Sequence, residues 1–177
     1  MKVKYFISIL ILGMLFIQCT DEDTLDFDNP SVQIFVQMVK TNSYNQEGIS
    51  GIVEVPNFKK EDIPNLLKYA KDTTPVRGFP INPVSSEKAE YYFLSQCLLW
   101  TIEKVRIGAY PSSSPSLFKS VEDEETLIEV STTDEIMKVW ELYNEWWKKV
   151  ENEPLESSVG YYHLDPLEGS PYSWSRK

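Results

Sequence analysis

The sequence predicts a mainly α protein: a compact bundle of about four helices with long proline-rich connections and one place for a short β-hairpin. Three observations point there. Apolar residues recur at threes and fours in 32–39, 66–70 and 136–150; residues 91–107 are apolar on nearly every face; and prolines punctuate the stretches between.

Ahead of the bundle comes a different kind of segment. Lys2 and Lys4 precede an apolar run, Phe6 to Ile17. At about a dozen residues it is too short to span a hydrocarbon core of roughly 30 Å, and it reads as the apolar part of a signal peptide. Phe16, Ile17 and Gln18 are too large for an A-x-A-like cleavage site, so cleavage is expected before Cys19, removing residues 1–18. The segment resembles a bacterial lipoprotein signal, in which the cysteine becomes the first mature residue and its thiol and amine carry acyl chains. Here Phe16 and Gln18 stand where the usual pattern has leucine and a small residue. Asp21, Glu22 and Asp23 follow at once and are similar to the export tag of surface lipoproteins in the Bacteroidetes. Residues 19–28 then form an acidic tether, extended by its own charge, and 29–177 a single mainly helical domain. Each buried acyl methylene contributes about 0.8 kcal/mol, so several chains anchor stably and the body needs no membrane-binding surface. The expected location is the outer membrane, lipid-anchored and facing outward.

Without residues 1–18 the chain keeps 15 of its 17 basic residues and all 27 acids, a formal charge of −12. Polyanion binding of the nucleic-acid kind needs clustered Lys and Arg, so nucleic acid is not an expected partner. With Cys19 acylated, Cys97 is the other cysteine, and no intramolecular disulfide can form. Its neighbours in "LSQCLLW" are apolar, which suits a buried structural thiol rather than a nucleophile.

The first helix is expected from "DNPSVQIFVQMVK", with Asn29 as N-cap, Pro30 in its first position and Val32, Phe35, Val36 and Val39 facing the core. "IVEV" alternates and reads as a short strand before Pro56. "NFKKEDIPNLLKYAKD" follows as a second helix, its early acids Glu61 and Asp62 suiting the helix dipole and Pro64 tolerated in the first turn. Pro75, Pro80 and Pro83 enforce an extended connector. "SSEKAEYYFLSQCLLWTIEKVRIG" then makes the central helix, capped by Ser85 or Ser86 and ended by Gly108, with charges inside its apolar part at Glu103, Lys104 and Arg106 alone. The hairpin candidate pairs "SLFKS" with "TLIEV" around the acidic turn Glu122 to Glu125, which lacks the glycine of a calcium loop. The last helix, "STTDEIMKVWELYNEWWKKV", is capped by Thr132 or Thr133 and carries Ile136, Val139, Trp140, Tyr143, Trp147 and Val150 as its stripe. Trp146 lies beside that stripe and is read as the more exposed of the Trp146–Trp147 pair. The tail "YYHLDPLEGSPYSWSRK" is irregular and packs its aromatics back onto the body.

No stretch carries a catalytic signature. There is no G-x-S-x-G, no H-E-x-x-H and no glycine-rich phosphate loop, and His163 stands alone as a surface or packing residue. No catalytic residue, metal ligand or cofactor is therefore assigned. Binding is the stronger class, since aromatic side chains are 13% of the chain and Tyr and Trp anchor interfaces or stack on sugars. The leading reading is an accessory or binding subunit with an envelope protein as partner. The alternative is glycan binding, with Trp146, Tyr172 and Trp174 forming an exposed platform. A third is a hydrolase, which requires two carboxyls about 5–10 Å apart across a cleft.

Three stretches taken together, "FKKEDIPNLLKYAKDTTPVRGFPINPVSS", "CLLWTIEKVRIGAYPS" and "YNEWW" followed by "DPLEGSPYSW", resemble a family of Bacteroidetes lipoproteins. That family is a domain of unknown function found in gut species, and the resemblance covers about residues 27–177. It implies a lipid-anchored, mainly helical envelope domain and transfers no catalytic residue.

Overall fold

A central helix organises the molecule. In the computed structural model, which describes residues 24–45, 54–81, 89–121, 126–153 and 164–174, the chain forms α1 (Val32–Lys40), a 3-10 turn (Lys60–Asp62), α2 (Ile63–Tyr69), β1 (Pro75–Val76) and β2 (Tyr92–Phe93). There follow α3 (Leu94–Ile107), β3 (Phe118–Ser120), β4 (Leu127–Glu129), α4 (Thr133–Val150) and β5 (Tyr172–Ser173). Every residue of α3 from Leu94 to Glu103 is buried, as a helix apolar on all sides demands. α2 and α4 pack against it.

The four helices among the described residues do not make a helical bundle, and the expected fold class is corrected to mixed α/β. β1 and β2 form an antiparallel pair, Val76 opposite Tyr92. β4, β3 and β5 form a second antiparallel sheet in that order. The hairpin foreseen in "SLFKS" and "TLIEV" is its β3–β4 half, with Lys119 opposite Ile128, while β5 comes from the tail and sets Tyr172 opposite Lys119 on the other side. The two-residue strands β1, β2 and β5 are too short to show a period, and tertiary pairing rather than local pattern creates them.

The starts of α1 and α3 differ from expectation, and that of α4 does not. Ser31, not Asn29, caps α1, its Oγ accepting the Ile34 N–H at 3.4 Å, while Pro30 lies before the helix. α3 begins at Leu94 rather than near Ser86, because Tyr92 and Phe93 are drawn into the β1–β2 pair. Its first N–H groups are satisfied by carbonyls of the preceding connector, Leu94 by Thr74 and Ser95 by Asp72, both at 2.9 Å. Gly108 closes α3 in the left-handed region, φ 71°, where a Cβ would be strained. Thr132 caps α4 by accepting the Glu135 N–H. Of "IVEV", Glu54 and Val55 lie outside any strand, with Val55 buried in the core; the rest falls outside the described residues.

The core joins α1, α2, α3 and α4 through Phe35, Leu66, Leu98, Trp100 and Tyr143, all fully buried. Phe35 meets Tyr44 and Phe58 edge-on, and Phe79 meets Trp100 likewise at 5.8 Å between centroids. The body begins earlier than residue 29. Leu25 is already buried, Asp26 folds back onto the N–H groups of Asp28 and Asn29, and the Asn57 N–H bonds to the Phe27 carbonyl.

Candidate functional site

The last turns of α3 place Glu103 and Arg106 on one face, three residues apart. Both are buried, their side chains 3% and 10% exposed. Arg106 donates to the Glu103 carboxylate in a forked arrangement, Nε at 3.0 Å to Oε1 and 3.2 Å to Oε2, and Nη2 at 2.6 Å to Oε2. From α4 the Tyr143 hydroxyl donates to Oε1 at 2.8 Å, and from the tail Trp174 Nε1 donates to that hydroxyl at 2.7 Å. Burial pushes the Tyr143 hydroxyl well above its ordinary pKa and the Glu103 carboxylate adds to this, so it stays protonated and donating. For Arg106, burial opposes the charged form, but the hydrogen bonds and charge of Glu103 outweigh it, helped by Tyr143 and Asp165, and hold the guanidinium above its usual range. A buried ion pair is tolerated when its remaining polar atoms are satisfied, and this network meets that condition.

Above the network lies a cleft of about 420 Å³ whose walls include Ile107, Pro111, Leu167, Tyr172 and Trp174, with Asp165 and Glu168 at its rim. The sequence "DPLEGS" builds that rim. Asp165 Oδ1 accepts the Leu167 N–H at 2.8 Å, Gly169 takes a positive φ of 73°, and Ser170 Oγ donates to the Leu167 carbonyl at 2.7 Å. Leu167, buried, pins the turn to the body. Beyond the same ridge is a second hollow of about 450 Å³, floored by Leu142, Trp146 and Leu164 and edged by Glu145 and Lys149.

The exposed aromatic platform is corrected. Trp146, Tyr172 and Trp174 are 4%, 8% and 6% exposed, and they line two adjoining hollows instead of one open plane. Trp146 is the more buried of its pair, because positions 139, 143, 146 and 150 of α4 turn toward the core, whereas Trp140 and Trp147 sit at the flank and are half-buried. Each of those flanking rings has a lysine ammonium over it, Lys71 at 4.7 Å from the Trp140 centroid and Lys60 at 5.9 Å from that of Trp147. Cys97 is fully buried and its thiol is pushed well up by burial, so it is not a nucleophile. Cys19, Asp21, Glu22, Asp23 and His163 lie outside the described residues.

Glu103, Arg106 and Tyr143 were not singled out by sequence reasoning. The available signal was an acid and a base three apart inside a helix that carries, besides them, Lys104 as its one other charge. With the site in view, one comparison decides the family. The chain belongs to the DUF4943 family, a domain of unknown function whose profile matches residues 26–175. No curated protein and no solved structure matches it. Among the described residues, no helix is long and apolar enough to cross a membrane and no three His, Cys, Asp or Glu residues come together as a metal site.

Proposed function

We propose that this DUF4943 protein is a lipid-anchored lipoprotein of the cell envelope, displayed at the outer surface, whose body acts as a non-catalytic binding or accessory subunit. The anchor reading rests on Lys2, Lys4, the apolar run 6–17, Cys19 and the acids Asp21, Glu22 and Asp23, together with the likeness to Bacteroidetes lipoproteins. Binding is favoured over catalysis by one observation: the buried carboxylate of the cleft, Glu103, is committed to neighbouring side chains, and the other two carboxylates that line it, Asp165 and Glu168, belong to exposed residues of its rim. Glu103 receives the Arg106 fork and the Tyr143 hydroxyl, and Tyr143 in turn receives Trp174. A glycosidase requires instead a pair of carboxyls poised toward substrate, one to donate a proton and one to attack or activate water.

Crosslinking in intact cells of the source organism, followed by capture through a C-terminal tag and mass spectrometry, tests the reading. The expected outcome is one envelope protein recovered in stoichiometric amount, with the yield falling when Asp165 and Glu168 at the cleft rim are replaced by alanine. Recovery of the lipoprotein alone would overturn the accessory-subunit reading.

A further inference from the structure

The cleft of about 420 Å³ and the adjoining hollow of about 450 Å³ have Asp165 and Glu168 in common. What divides them is therefore the turn Asp165-Pro166-Leu167-Glu168, closed by the Glu168 N–H on the Asp165 carbonyl at 3.1 Å. Its middle residues, Pro166 and Leu167, are buried, whereas Asp165 and Glu168 are exposed. An apolar centre thus pins the turn while both acids stand at the surface. Among the described residues, neither acid takes part in an ion pair. Within the cleft the Glu103–Arg106 pair sums to no net charge, so the two rim acids set the field there, Asp165 acting also on Arg106. In the second hollow Glu145 adds a third carboxylate against one cation, Lys149. The wall of the cleft also offers apolar surface to solvent, since Ile107 is 42% exposed.

We propose that the Asp165–Glu168 ridge docks a basic segment of a partner protein, an extended stretch that sets one lysine or arginine side chain into each hollow. Long basic side chains lay their stems on apolar surface and keep the charged head near water, which suits hollows with apolar walls and an exposed acidic rim. The spacing agrees. A turn of this kind brings its end Cα atoms within about 7 Å, and alternate residues of an extended chain share a face about 6.6 Å apart. Side chains at positions i and i+2 of the segment therefore straddle the ridge, one entering each hollow. The formal charge of −10 favours the same occupant, because it steers a cationic surface inward and repels a second copy of the chain, whose ridge is equally acidic. The inference rests on the binding-subunit reading and names the chemistry of the partner.

Fluorescence anisotropy of labelled peptides titrated with the full chain, purified in detergent, tests it. One peptide carries Arg-Thr-Arg in a threonine-rich sequence, a second has the same composition with its arginines adjacent, and a third has glutamate for arginine. The first is expected to bind, less tightly as salt rises, the second to bind more weakly and the third not at all. Asp165→Asn, which keeps the acceptor for the Leu167 N–H, combined with Glu168→Gln should weaken binding about tenfold. Glu61→Gln combined with Asp134→Asn removes the same charge from exposed acids that line neither hollow and should leave binding nearly unchanged. Ile107→Ser, at an exposed position, should weaken binding with net charge and melting temperature unchanged. No binding of the first peptide, equal binding of the second, equal loss in the two charge-matched variants, or indifference to Ile107→Ser would overturn the proposal. Displacement of the peptide by equimolar spermine would overturn it in favour of a free polyamine. A partner captured from cells whose recovery does not fall in the ridge variant overturns the site alone, whereas capture of the lipoprotein by itself overturns the reading beneath it.

Discussion

Tyr143 is the residue on which the interior polar network turns. It is fully buried, donates to Glu103 and accepts from Trp174, so one hydroxyl links α3, α4 and the tail. Replacing it by phenylalanine keeps the ring in place and removes both bonds, leaving the Glu103 carboxylate one donor short and the Trp174 N–H without its acceptor. Unsatisfied buried groups of this kind cost about 1–3 kcal/mol. Tyr143→Phe is therefore expected to lower the unfolding free energy by that amount in urea titrations, with the denaturant slope unchanged. A loss below about 0.5 kcal/mol would mean that the network contributes little. Trp146 gives the complementary lesson. Its neighbour Trp147 fits the sequence stripe at threes and fours equally well, and only the direction from which α2 and α3 pack decides which indole faces inward.

At the scale of elements, α1 is tied to the end of α2 by Lys40, whose Nζ meets Asp72 Oδ2 at 2.7 Å. Burial works against the Asp72 carboxylate, but hydrogen bonds from Lys40 and Thr74 outweigh it and hold its pKa below the usual carboxylate range. A group whose folded pKa is depressed contributes stability above its unfolded pKa, near 3.9, and loses it as pH falls through the folded value. Because both partners are about a third exposed, the contribution is screened and stays below about 1 kcal/mol. Asp72→Asn, which retains an acceptor for Thr74, should be slightly less stable than the parent at pH 7, and the two should converge as the pH is lowered past 4 in urea titrations. A difference that persists unchanged into acid would assign it to something other than this carboxylate. The helices were legible because a 3.6-residue apolar period runs through nine or more residues in α1 and α4 and because α3 is apolar all round. Of the strands, β3 and β4 were legible as a hairpin, and the other three were not. β1, β2 and β5 have two residues each, and β5 exists because the tail returns to pair with β3.

For the whole molecule, the same distinction separates the parts of the site that could be read from those that could not. Glu103 and Arg106 are visible as charges within an apolar helix, but their partner Tyr143 lies 40 residues further on, and Trp174 another 31 beyond that. No local pattern announces such a meeting. The exposed platform of Trp146, Tyr172 and Trp174 failed for a related reason: the large apolar area that would suit an exposed platform also favours burial, and here all three side chains are buried. What the molecule as a whole presents is a folded body with a rimmed cleft, a lysine-covered tryptophan flank and no described helix able to span a bilayer. The proposed lipid anchor is tested most directly by intact-mass analysis of the protein isolated from its own cells. A chain beginning at Cys19 and carrying acyl chains, both features lost in Cys19→Ala, is the predicted result; an unacylated chain, or one that retains residues 1–18, would contradict it.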